Sequence, residues 1–216
     1  MAITGRNGVG KSTLLDLIVG DLSSSKGSIA MPPSWRVGYM RQEVYVSRQT
    51  AINYVIDGHS ELREVERKIA GLSDDEELAN LYLRYEDLGG YEAESRAGRI
   101  LNGLGFHAEE FEKPFEQFSG GWRIRLNLAK ALMLPSQLLV LDEPTNHLSV
   151  KETNKVLRFV EGLKKQGVTS IFITHNLSHV YPIADHLCVM ARGEKIADLA
   201  KEDTNIDELT DLLVNG

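Results

Sequence analysis

At 216 residues, with 42% apolar and 25% charged residues, the chain has a globular composition and enough length to bury a substantial core. Its formal charge of −7 excludes a broad basic footprint, so any nucleic-acid contact has to use a local patch. No run approaches a membrane span and the start lacks the charged-then-apolar order of a signal peptide, so a cytoplasmic location without direct membrane insertion is expected.

The first predicted helix, KSTLLDLIVGD, opens inside a glycine-rich loop and ends at Gly20, a C-cap. The turn formers of SSSKGSIAMPPSW lead to WRVGYM, which is short and β-prone. From about Asp57 to Gly105, charged residues interleave with Leu, Ile, Val and Tyr at helical spacing, as in ELREVERKIAGL. This stretch reads as a helical lobe inserted between two strand-bearing parts. After Gly121, WRIRLNLAKALML is a helix stopped by Pro135, and LLVLDE is a continuous apolar strand ending in two carboxylates. The order repeats in the helix ETNKVLRFVEGLKKQ and the strand TSIFITH, before the hairpin-like LCVMARGEKIADL turns at Arg192 and Gly193. A short helix is expected near IDELTDLLV. Strands alternating with helices predict an α/β fold whose mostly parallel sheet is covered on both faces. The lone Cys188 sits in the apolar LCVM and is expected to be a buried small hydrophobe.

Gly5, Gly10, Lys11 and Ser12 satisfy G-x-x-x-x-G-K-[ST], and the whole loop Gly5, Arg6, Asn7, Gly8, Val9, Gly10, Lys11, Ser12, Thr13 is expected to wrap ATP phosphates. Glycines let backbone N–H groups face phosphate oxygens without Cβ obstruction, and the following helix N-terminus favours the same anion. Lys11 adds a charge for the β and γ phosphates, and Ser12 offers a hydroxyl to Mg²⁺. Asp142 and Glu143 end a buried strand, where a carboxylate is costly unless it meets a cation or a polar cleft. Asp142 is placed to hold Mg²⁺ and Glu143 to polarise the attacking water as general base. His175 ends the next strand on the same sheet edge, where it can reach the γ-phosphate. His59, His107, His147, His179 and His186 show no metal-ligand spacing and are expected to be structural or exposed. Ser119, Gly120 and Gly121, before a helix starting near Trp122, make a second phosphate-ready helix N-terminus.

In order, GRNGVGKST, Gln42 in YMRQE, FSGGW, LLVLDEPTNHL and Ile173-Thr174-His175 resemble the Walker A, Q-loop, signature, Walker B and H-loop motifs of the ATP-binding cassette (ABC) family. The resemblance covers nearly the whole chain. It implies a P-loop NTPase fold over a single domain, residues 1–216, with a helical lobe at about 43–134. It also implies ATP and Mg²⁺ as cofactors, with Gln42 near the metal. In that family two cassettes face each other head to tail, so Ser119, Gly120 and Gly121 of one would contact the γ-phosphate held by Lys11 of the other. The expected partner is a second cassette, in a homodimer or a paired domain.

Phe118 to Trp122 and EPTNHL at Glu143 to Leu148 resemble the ABC-F branch, which implies soluble ATPases with two cassettes per chain that often act on the ribosome. The 76 residues from Glu43 to Phe118 leave room for the extra helical arm of that branch, though their charges also fit an ordinary solvated face. After Leu148 the pattern changes, and ITHNLSHVYPIADHLCVMARGEKIAD resembles the ATPase subunit of monosaccharide importers, which would instead dock on a membrane permease. A mosaic junction is thus expected near 148–149. Only Met1 to Thr4 precede Gly5, whereas the family places two or three strands there, one carrying an aromatic that stacks on adenine. With those N-terminal strands largely missing, ATP affinity is expected to be weaker by about tenfold or more, since base stacking is worth about 1 to 3 kcal/mol.

Overall fold

The computed structural model describes residues 1–215 apart from Val44 and Ser73. In chain order the elements are β1 (Ala2–Thr4), α1 (Lys11–Val19), β2 (Val37–Met40), α2 (Ala51–Ile56), α3 (Ser60–Gly71), α4 (Asp75–Asp87), α5 (Ala93–Gly103) and α6 (Gly120–Met133). They continue with β3 (Leu138–Asp142), α7 (Val150–Lys165), β4 (Thr169–Ile173), α8 (Leu177–Val180), β5 (His186–Ala191), β6 (Glu194–Ala200) and α9 (Ile206–Asn215). The chain divides into two compact units, Met1–Val44 with Pro135–Gly216, and Tyr45–Leu134.

The first unit is built on a six-stranded sheet in the order β2-β3-β4-β1-β5-β6. Every pairing is parallel except β5 with β6. That exception follows from the short connection: Arg192 (φ 51°) and Gly193 (φ 84°) both take positive φ, as a tight two-residue hairpin turn requires. β3 reads LLVLD and is buried at all five positions, the signature of a parallel strand covered on both faces. Ile3, Leu15, Leu138, Val140, Ile173, Cys188 and Met190 form one apolar cluster joining sheet to α1, so Cys188 is a core residue, as its neighbours predicted. At the end of α1, Gly20 (φ 87°) takes the left-handed cap that ends the helix. α7 starts with a capping box in which Ser149 accepts from the Glu152 N–H and Glu152 reaches back to the Ser149 N–H.

The second unit is helical. Ala51, Val55, Leu62, Ala97, Leu101, Leu126 and Leu128 are all essentially inaccessible to solvent within it. Two boundaries differ from the sequence expectation. The helices begin before Asp57: α2, capped by the Thr50 hydroxyl, has only six residues, too few for a helical period to register. α6 starts at Gly120 instead of near Trp122, because its N-cap is Ser119 and the two glycines already belong to its first turn.

Candidate functional site

The phosphate loop leaves the carboxyl end of β1, a strand flanked on both sides by parallel neighbours, and enters α1 at Lys11. This is the edge where open α/β sheets bind ligands. Gly5 has a second reason to be glycine: a Cβ there would stand 2.4 Å from the Met190 carbonyl oxygen on β5. Gly8 (φ 81°) and Gly10 (φ 92°) occupy backbone conformations that side chains disfavour. Replacing Gly5 by Ala should therefore destabilise the fold by about 1 to 3 kcal/mol, the usual scale of overpacking. Thermal denaturation would read this as a fall of several degrees in Tm, and a Tm within a degree of the parent would contradict it.

Within the loop, the Lys11 ammonium donates to the carbonyls of Gly5 (2.8 Å) and Arg6 (3.0 Å), curling the loop around its own lysine. Arg6 extends to the Val214 carbonyl near the end of α9 (3.2 Å), and Val9 packs on the apolar cluster beneath. A cavity of about 400 Å³ is lined by the loop residues Asn7, Gly8, Gly10 and Thr13, and by Lys11, Ser12, Gln42, Asp142 and Glu143. Three chain segments far apart in sequence thus meet on one surface.

At the end of β3, Asp142 is 3% exposed and its Oδ2 accepts the Ser12 hydroxyl at 2.8 Å. Its Oδ1 is buried with no hydrogen-bond partner. Burial holds the Asp142 carboxyl above the usual carboxylate range, and burial likewise pulls the Lys11 ammonium down, opposed by Glu143 and Asp142. An orphaned buried carboxylate oxygen beside a hydroxyl and an amide is a donor set for a hard, oxygen-seeking dication. Among the described residues no cluster of three or more His, Cys, Asp or Glu forms a metal cage.

Glu143 sits just past β3 with φ 50°, a left-handed conformation rare for a side-chain-bearing residue. Its N–H donates to the Ile173 carbonyl at 3.0 Å, and its own carbonyl accepts from Asn146 at 3.0 Å. The side chain is also anchored: Oε1 accepts the His175 backbone N–H at 3.1 Å and lies 2.8 Å from His175 Nδ1. Such a conformation costs on the order of 1 to 3 kcal/mol and persists where its surroundings over-determine it. The His175 ring is half-exposed while the Glu143 carboxylate is buried. The imidazole therefore presents its outer edge to solvent above a fixed carboxylate. Nothing in the residue pattern foretold the backbone conformation of Glu143 or the direct Glu143–His175 bond, which joins residues 32 positions apart.

Ser119, Gly120 and Gly121 belong to the helical unit. Ser119 has N-cap geometry (φ −66°, ψ 163°) but its hydroxyl makes no capping bond, unlike the Ser149 hydroxyl at the start of α7. One turn along, the Trp122 ring lies 4.6 Å from that of Phe106, and the Arg125 guanidinium stacks on Trp122 at 3.5 Å. Trp122 thus packs against side chains of its own unit.

A glycine-rich phosphate loop entering a helix from a central parallel strand, with a carboxylate at the end of β3, the next strand but one, bonded to its serine, defines a P-loop nucleotide site. The ABC transporter family profile matches residues 1–146, and the chain belongs to that family, whose cassettes are ATPases. Over 190 residues it is 40% identical to the Probable ATP-binding protein YheS of Escherichia coli K12, covering 87% of this chain and 29% of that protein. It is 35% identical over 192 residues to ABC transporter F family member 4 of Arabidopsis thaliana, covering 81% of this chain and 25% of that one. To the Xylose/arabinose import ATP-binding protein XylG of Sulfolobus acidocaldarius it is 28% identical over 221 residues, covering 100% and 82%. Among solved structures, the ATP-binding cassette MJ1267 of an ABC transporter superposes with a TM-score of 0.72 at 24% identity, covering 99% of this chain and 83% of that one. The chain therefore spans under a third of the length of YheS and of ABC transporter F family member 4. No helix among the described residues is long and apolar enough to cross a membrane.

Proposed function

We propose that this chain is the ATP-hydrolysing cassette of an ABC-F-like protein acting on the ribosome, working in a pair with a second cassette. The observation that carries the hydrolytic reading is the Ser12–Asp142 bond on a cavity shared by Lys11, Gln42 and Glu143. In this reading the N–H groups of Gly8 to Thr13 and the Lys11 ammonium hold the phosphates. Ser12, Asp142 and Gln42 hold Mg²⁺, which when bound neutralises charge on the phosphate oxygens. Glu143 takes a proton from the water that attacks the γ-phosphate in line with the leaving oxygen. His175, tied to Glu143, is placed to bond the γ-phosphate on its exposed side. The bond between the γ-phosphorus and the bridging oxygen breaks, giving ADP and phosphate.

Ser119, Gly120 and Gly121 complete the site of a facing cassette, and the uncommitted Ser119 hydroxyl on a helix N-terminus supports that role. ATP turnover should then rise more steeply than linearly with protein concentration, and Lys11→Ala should abolish it. A strictly linear rise would count against paired sites. The F-type relatives and the FSGGW and EPTNHL segments favour the ribosome, which cosedimentation with ribosomes, with and without ATP, would test. Similarity across this chain to a sugar-import ATP-binding protein favours a second reading, a transport subunit, for which membranes containing a sugar permease would retain the chain instead.

A further inference from the structure

Beside Glu143 runs a second hydrogen-bonded chain that the mechanism above leaves unused. The Ser178 hydroxyl donates to Asn176 Oδ1 at 2.7 Å, so the Asn176 amide nitrogen is the atom facing His179 Nε2 at 3.1 Å. An imidazole nitrogen that accepts a hydrogen bond carries no proton, which puts the proton of the neutral ring on Nδ1. Nδ1 lies 3.2 Å from Thr145 Oγ1 and donates to it. The bonds thus run in one direction, from Ser178 through Asn176 and His179 to Thr145. Burial, reinforced by the neighbouring His175, lowers the His179 pKa and favours the same neutral ring.

These bonds join two separate loops. Asn176 follows His175 at the end of β4, whereas Thr145 lies two residues past Glu143 in the turn that leaves β3. Thr145 is 4% exposed, and its turn holds two non-glycine residues at positive φ, Glu143 (50°) and His147 (58°). Besides its own bond from the Asn146 N–H to the Glu143 carbonyl, a turn with such backbone angles needs contacts outside itself to keep its shape. The Glu143–His175 pair is one such contact, and the Thr145–His179–Asn176 bridge is a second, made by different atoms.

We infer that His179 is a positioning residue for hydrolysis: bonded to Asn176 on one side and Thr145 on the other, it locks the Glu143 turn against the His175 loop. The inference rests on Glu143 as the base. A misplacement of about 1 Å at a reacting group costs as much as about 10²-fold in rate, so His179→Ala should lower kcat by about tenfold or more. The KM for ATP should stay within about twofold, because the phosphate loop springs from β1 and gains or loses no bond.

The test is steady-state ATP turnover with Mg²⁺ by the full chain, carrying His179→Ala, Thr145→Val, both together, or His179→Gln. We expect each single variant to lose kcat, the double to lose no more than the worse single, and His179→Gln to recover much of the rate, since its amide can accept from Asn176 and donate to Thr145. Losses that multiply in the double variant, a KM that rises with an unchanged kcat, or a His179→Gln as slow as His179→Ala would overturn the bridge. Nitrogen-15 spectra of the wild-type imidazoles add a readout independent of turnover, with a neutral Nδ1–H ring expected for His179 and an Nε2–H or charged ring overturning the proposal. Glu143→Gln with unchanged turnover would remove the hydrolytic reading and this inference with it. An inactive Glu143→Gln beside a His179→Ala within twofold of wild type would remove this inference alone.

Discussion

Replacing Glu143 by Gln is expected to cut ATP hydrolysis by about 10² to 10⁴-fold, the range a general base contributes, while ATP still binds. The geometry makes this substitution informative. Glu143 Oε1 accepts the backbone N–H of His175 and faces its ring at 2.8 Å, and a Gln carbonyl oxygen can accept both bonds. The positive φ at Glu143 is a property of the backbone, which Gln leaves in place. What changes is the second oxygen, which becomes an amide nitrogen that cannot take a proton from water. The protein should then accumulate ATP-bound pairs, visible as an ATP-dependent shift to twice the mass in size-exclusion chromatography. Turnover equal to that of the parent would show that the proton goes elsewhere.

Lys11→Ala is expected to remove turnover and weaken ATP binding by at least about tenfold, equivalent to about 1.4 kcal/mol. Lys11 is the cation inside the loop, 7% exposed, and its charge is set against both Glu143 and Asp142. Without it, two buried carboxylates face the incoming phosphates with less compensation, which opposes an anionic ligand twice over. Arg should not restore the function, because the loop encloses a compact ammonium bonded to two carbonyls and a planar guanidinium needs a wider fork of acceptors. Isothermal titration with ATP and Mg²⁺ would check both substitutions, and tight binding by Lys11→Ala would displace the lysine from its assigned place.

Much of the site was legible because its residues come in short runs with a physical reason for their spacing. Gly5 to Thr13 declares a loop that must expose N–H groups before a helix, and LLVLDE declares a buried strand whose carboxylates need a polar outlet. The strand ending at Ile173 is placed by the same reasoning on the same edge. The direct bonds between such runs are less legible: the motifs assign Ser12 and Asp142 to the same Mg²⁺, but neither segment specifies the bond between them, which spans 130 positions. Thr145 lies within EPTNHL but His179 belongs to no motif, so the sequence reads His179 as an exposed or structural histidine. Short α2 went unseen because a six-residue helix has no second turn in which to repeat its apolar face.

The sequence by itself determined the class of this protein: local periodicity dictates the alternation of strands and helices, and G-x-x-x-x-G-K-[ST] between a strand and a helix, followed by the other motifs in order, marks a phosphate loop. Tertiary structure decided the rest, because it alone sets which strands are neighbours. Placing β1 between β4 and β5 requires Gly5 to pass within 2.4 Å, at a virtual Cβ, of the Met190 carbonyl, so its lack of a side chain answers to packing as well as to phosphate. Laying β3 beside β4 brings Glu143 to His175 and Thr145 to His179. Those contacts belong to the sheet order, a global property that no window of sequence contains.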